Sequence, residues 1–219
     1  MRVDLNEQAY EWVRERLLAR QFGPGEKLSL QALADELGVS RSPVHQALTR
    51  LVSEGLVTAS RRGYEVRPIT PRLMQETHDA RVALELFSAE EAVGRIPAAT
   101  LVRLREALEA TIVQVLDGDI VDKRAYLSAN AAFHEQIVDL AGNSVISEIY
   151  RRLNVHRLMG RAYLSLPVFA AGDSSSEHTE IVEALEAGEL GRARAAIRAN
   201  AETGKRLALA AIASAGGEL

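Results

Sequence analysis

The sequence predicts a mainly α chain in two parts: three short helices with a small β-hairpin over residues 1–69, then an all-α bundle of six or seven helices over residues 70–219. Three observations carry this. Apolar residues recur at helical spacing along most of the 219 residues. The period shortens to two only around residues 57–66. Clusters of Gly, Pro, Asn and Asp interrupt both patterns at short intervals.

Leu5, Ala9, Val13 and Leu17 share one face of a first helix, which the turn-forming run GPGEK at 23–27 ends. Residues 30–37 (LQALADEL) follow as two helical turns closed by Gly38, the residue type suited to a left-handed C-cap. Ser40 is a candidate N-cap for the next helix, RSPVHQALTRLVSEG, whose Pro43 falls in the first turn, where amides have no intrahelical partner. Two helices joined by a tight Gly-containing turn form a helix-turn-helix unit. Beyond Gly55, Val57 and Ala59 alternate with Thr58 and Ser60, and Tyr64 and Val66 with Glu65 and Arg67, around Arg61-Arg62-Gly63. This is a hairpin with a basic tip, a wing beside the helix pair.

Pro68 and Pro71 mark a domain boundary. Everything after it reads as helix, with breaks near Ile96-Pro97, Asp117-Gly118-Asp119, Ala141-Gly142-Asn143, Leu166-Pro167, Ala171-Gly172-Asp173 and Ala187-Gly188. The last helix, about residues 190–213, is alanine-rich.

Composition narrows the function. With 47% apolar and 26% charged residues the chain is an ordinary globular one. It has no cysteine, so disulfides, thiolate metal sites and a cysteine nucleophile are excluded. The N-terminal run is charged throughout, unlike a signal peptide, and no stretch is long and apolar enough for a bilayer, so a cytoplasmic location is expected. The net charge of -4 is unevenly spread: residues 1–69 carry +1 and the remainder -5. The case for nucleic acid therefore rests on where the arginines sit.

In a helix-turn-helix, the start of the second helix meets base edges and offers free amides to phosphate. Here that segment presents Ser40, Arg41, Ser42 and His45. Arg41 has the fork that matches guanine O6 and N7, and Ser40 and Ser42 suit phosphates. Thr49 and Arg50, further along, would reach only the backbone. Arg61, Arg62 and Gly63 suit a wing in the minor groove or along phosphates.

The run LSLQALADELGVSRSPVHQALTRLVSEGLVTASRRGYEV resembles the winged helix-turn-helix of the GntR family of regulators. Two positions depart from the family pattern, both losing a positive charge: His45 stands where most relatives carry arginine, and Gln31 where one branch often does. Residues 71–214 resemble the FCD effector domain of the FadR-type branch through ARVALE at 80–85, NAAFHEQIVDLAGN at 130–143 and EHTEIVEALEAGELGRARAAIRAN at 177–200. The resemblance implies a DNA-binding regulator responsive to a small molecule.

Such domains often hold a divalent metal through Asp-x-x-x-His and two later histidines. The corresponding positions here are Asn130, His134, His178 and Asn200. His134 and His178 remain as candidate ligands for Zn, Ni or Mn, but asparagine amides are weak donors beside carboxylate or imidazole, which favours a metal-free pocket. Helical spacing independently sets His134, His178 and Asn200 on apolar faces, where buried polar groups need partners or a ligand. Arg81, on the stripe of Met74, Thr77 and Leu84, suits an organic carboxylate, with a salt bridge to Glu85 as the plain alternative. Tyr126 and Asn143 are further hydrogen-bonding candidates. His78 and His156 carry no such argument.

Three functions compete at this point. One is a homodimeric repressor that leaves a pseudo-palindromic operator when a small organic acid binds. Another is a constitutive DNA binder without effector response. The third, a helical metal-dependent enzyme, lacks a nucleophile motif, a phosphate loop and an intact metal triad.

Overall fold

The computed structural model describes residues 4–116, 119–164 and 172–219. Helix α1 (Leu5–Leu18) is capped by the Asp4 carboxylate, which accepts from the Asn6 amide. Strand β1 (Lys27–Leu28) precedes α2 (Leu30–Leu37), whose N-cap is Ser29. Gly38 closes α2 in the left-handed region at φ 73°. Helix α3 (Arg41–Ser53) and the hairpin β2 (Val57–Ser60) and β3 (Gly63–Val66) complete the unit. Val13, Leu17, Val44, Leu48, Leu51 and Val66 are fully buried between helices and hairpin.

Strand β1 departs from the sequence expectation. Lys27 and Leu28, read as the end of a turn and its sequel, pair with Glu65 and Tyr64, so the sheet has the order β1-β3-β2. Two residues carry no periodicity, and the strand exists only because β3 offers it a free edge.

Pro71 opens α4 (Pro71–Ala92), with Thr70 Oγ1 accepting from the Leu73 amide at 3.1 Å. Then come α5 (Ala98–Ile112), β4 (Val115–Leu116), β5 (Asp119–Ile120), α6 (Lys123–Asp139), α7 (Ser144–Leu153), α8 (Val155–Leu164), α9 (Gly172–Glu186) and α10 (Leu190–Ser214). The antiparallel β4–β5 pair corrects the expectation of an all-α second part. Two residues on each side of a tight turn leave no pattern to read. Asp117 and Gly118 themselves, Leu166-Pro167 and Ala171 lie outside the described residues.

Helix α6 runs between α4, α5, α7 and α8, while α10 packs along α4 and α9. Tyr126, Asn130 and His134 of α6 are therefore buried among these helices. One apolar cluster gathers Met74, Tyr126, Leu158 and Ile212 beside the first unit, and another gathers Phe133, Ile137, Ile181 and Ile197.

The two parts of the chain touch. Arg161 donates to the Arg67 carbonyl at 2.8 Å and Asn154 to that of Ser53 at 3.3 Å, while Ile69 and Leu219 exchange backbone hydrogen bonds. Gly55 lies at this seam with φ 71°, and a Cβ there would stand 3.2 Å from Arg67 and 3.3 Å from Asn154. Among the described residues no helix is long and apolar enough to cross a membrane.

Candidate functional site

The start of α3 is an open surface. Ser40, Arg41, Ser42 and His45 are all exposed, and the Ser40 hydroxyl makes no capping hydrogen bond. The α3 core residues Pro43, Val44, Ala47 and Leu48 face inward. Three- and four-residue spacing then leaves 41, 42 and 45 facing out. The wing braces this helix: the Tyr64 ring lies edge-on to His45 at 6.1 Å, and its hydroxyl is 3.4 Å from Thr49 Oγ1. Arg61, Arg62 and Gly63 form the exposed tip, with Gly63 at φ 106°.

Arg50 departs from its expected place in a DNA surface. Its guanidinium lies 3.5 Å over the Tyr10 ring, donates to Glu7 at 2.9 Å and approaches Glu54 at 3.5 Å. It serves the packing of α1 on α3, and Tyr10 in turn donates to Glu54 at 2.9 Å.

In the second part, Arg81 of α4, His134 of α6, His178 of α9 and Asn200 of α10 converge, and none is more than 3% exposed. Arg81 Nη2 lies 2.8 Å from Asn200 Oδ1 and 2.9 Å from His134 Nε2, and Arg81 Nε donates to Glu85 Oε1 at 2.8 Å. His178 Nε2 and His134 Nε2 are 3.2 Å apart. The salt bridge to Glu85 and the convergence on the polar cluster thus coexist. Asn200 Nδ2 also donates to Glu177 at 3.2 Å, and Tyr126 donates to Ser174 at 3.1 Å at the edge of the cluster.

Sequence reasoning missed three members. Tyr150 of α7 donates to Glu85 Oε1 at 2.7 Å. His156 of α8 lies 3.0 Å from the Tyr150 hydroxyl and 3.3 Å from Asn130 Nδ2, with its ring stacked on His134 at 5.2 Å. Glu85 was visible only as a partner for Arg81. Asn143 is absent from the cluster: it is exposed and caps α7, accepting from the Val145 and Ile146 amides at 3.1 and 3.2 Å.

Charge in the cluster is balanced once. Burial would raise the Glu85 carboxyl, but the neighbouring Arg81 and His134 outweigh it and hold Glu85 well below the usual carboxylate range. Burial, reinforced by Arg81, pushes the imidazole pKa of His134 down. Burial pushes His178 and His156 down as well, reinforced by His134 and Arg81. The histidines are therefore neutral beside an Arg⁺–Glu⁻ pair. Glu85 Oε2 and His178 Nδ1 are buried without a partner among the described residues, a cost usually met by a water or ligand.

These residues do not fit a divalent ion. The His134 ring and the Asn200 carbonyl are turned to a guanidinium, a fixed cation standing where a metal would need them. Asn130 is engaged with His156, and among the described residues no group of three or more His, Asp or Glu has ligand geometry.

Residues 5–66 match the model of the bacterial regulatory proteins, gntR family, and residues 76–203 match the FCD domain. Among curated relatives, the uncharacterized HTH-type transcriptional regulator YdhC of Bacillus subtilis is 28% identical over 67% of this chain and 65% of its own length. The gluconate operon transcriptional repressor of the same organism is 34% identical over 66% of this chain and 58% of its own. The structure of E. coli McbR/YncC shares the fold, with a TM-score of 0.70 at 23% identity over 95% of this chain and 98% of that one. The chain belongs to the GntR family, with a winged helix-turn-helix joined to an FCD domain, and is a DNA-binding transcriptional regulator rather than an enzyme.

Proposed function

We propose that this regulator is a homodimeric, cytoplasmic repressor that leaves a pseudo-palindromic operator when a small organic acid binds the Arg81 cluster. In this reading residues 1–69 bind DNA, and residues 70–219 bind the effector and dimerise. Arg41 reads a base, Ser40, Ser42 and His45 position the helix on phosphates and base edges, and Arg61, Arg62 and Gly63 track the adjacent backbone. Exposed apolar side chains at the end of α5 and on the β4–β5 hairpin, Val113, Leu116 and Val121, offer a surface for a second copy.

The observation that carries the effector reading is the fully buried guanidinium of Arg81, whose outer nitrogen is held by neutral acceptors, the Asn200 carbonyl and His134. A carboxylate oxygen accepts more strongly than either and can take their place. Tyr126, Asn130 and His178 supply further hydrogen bonds around it. The name of one relative, a gluconate operon repressor, connects that protein with an operon for an organic acid.

Thermal shift against a panel of carboxylic acids, sugar acids and amino acids tests this, because an effector stabilises the state that binds it. One class should raise the melting temperature of the wild type and not of Arg81→Lys, which keeps the charge and loses the bidentate fork. If no member of the panel stabilises the wild type, the constitutive reading replaces it.

A further inference from the structure

A cavity of about 340 Å³ lies between the DNA-binding and FCD domains, outside the Arg81 cluster. From the first domain, Tyr10, Arg14 and Leu18 of α1 line it, with Arg50, Glu54 and Leu56. The FCD domain contributes Arg124, Leu127, Ser128 and Ala131 of α6, and His156 and Gly160 of α8. Its volume falls in the range of small-molecule sites.

We infer that this cavity is a second binding site, for an amphipathic organic anion with one acidic group and a short apolar body. The charge of the lining sets the sign. Three arginines face a single carboxylate, and that carboxylate, Glu54, is already held by the Tyr10 hydroxyl and approached by Arg50. Burial and this hydrogen bond push the Tyr10 phenol up to about 12, so it stays a neutral donor. Arg14 and Arg50 are each in contact with a glutamate, whereas Arg124 is exposed and has no ion-pair partner among the described residues. Arg124 is thus the cation ready for an incoming acid.

The rest of the wall decides what else the ligand must be. Leu18, Leu56, Leu127, Ala131 and Gly160 form an apolar surface, which a small, fully polar anion leaves uncovered. Ser128 adds a hydrogen-bonding hydroxyl, while both ring nitrogens of His156 are engaged by Tyr150 and Asn130, so its ring serves as wall. A ligand here touches both domains at once, so it bears directly on where the DNA-binding head sits. His156 also gives the two sites a common wall, since its ring lines the cavity and stacks on His134 of the buried cluster.

Isothermal titration of the full-length protein with octanoate tests the inference, with octanol and succinate as controls for the charge and the apolar body. Octanoate should bind saturably and more tightly than either control. Arg124→Glu, at an exposed position, should weaken it about tenfold or more. Gly160→Leu fills cavity volume next to Leu127, which lies 3.6 Å from the Cβ position, and should abolish binding. Arg81→Lys should leave octanoate binding intact, which separates this site from the buried cluster. The inference is overturned if octanoate does not bind, if succinate or octanol binds equally well, if Arg124→Glu is indifferent, or if binding is lost in Arg81→Lys instead.

Discussion

A guanidinium buried against a carboxylate and one reaching into water obey different energetics, and this chain contains both. Arg81 and Glu85 are at most 1% exposed, so removing one partner leaves a charge in a medium that cannot solvate it. Arg81→Met should cost about 3–5 kcal/mol in urea unfolding, and Arg81→Met/Glu85→Leu should recover most of that. A double variant as unstable as the single one would show that the pair is not what holds these helices. Arg41 is exposed, so Arg41→Ala should leave stability unchanged while costing about 1–3 kcal/mol of discrimination against altered operator bases in gel-shift titration. Equal losses of affinity for operator and for scrambled DNA would misplace the recognition helix. Arg81, His134, His178 and Asn200 were legible because helical spacing puts each on an apolar face. His156 and Tyr150 were not, because their partners come from other helices and only packing brings them together. Asn143, expected as a pocket hydrogen-bonding group, instead caps α7, a role its place straight after a Gly break and before a helix could have signalled.

At the scale of elements, the recognition helix and the wing act as one rigid piece. Tyr64 on β3 touches both His45 and Thr49 on α3, so the basic tip is tied to the helix proposed to read DNA. Arg61→Ala/Arg62→Ala should therefore weaken binding to all sequences about equally and lower the slope of log affinity against log salt by about 2. A change confined to one base position would assign the wing to base readout instead. The long helices α1, α4, α6 and α10 were legible from periodicity and the breaks between them, whereas caps such as Thr70 before Pro71 emerge only in the structure. Strand β1 and the β4–β5 pair were not, since two-residue strands are defined by what they pair with.

At the scale of the whole molecule, the contact between the two parts was not legible, since Asn154, Arg161 and Leu219 lie far along the chain from Ser53, Arg67 and Ile69. Acid couples to everything behind that contact. His78 is 1% exposed, both its ring nitrogens lack partners among the described residues, and burial aided by Arg81 pushes its pKa down to about 3. His134, His156 and His178 are shifted in the same direction. Unfolding returns each to its ordinary value near 6.5, so below that pH the unfolded chain binds protons that the folded chain refuses. For His78 this stability is fully present above 6.5 and falls by about 1.4 kcal/mol per pH unit as pH drops toward 3, and the other three histidines add the same sign. Glu85 adds the same sign further down, because its depressed pKa favours the folded state only while the unfolded carboxyl is ionised. His78→Leu removes one refused proton without removing a hydrogen bond, so it should be near neutral at pH 7 and stabilising by comparison with wild type at about pH 5. Effector binding has the opposite slope: an anion beside His134 and His178 raises their pKa, so binding takes up protons and tightens as pH falls. Titration calorimetry in buffers of different ionisation enthalpy should then show proton uptake by the wild type that grows as pH falls, and an effector whose binding shows no such pH dependence is not coupled to these imidazoles.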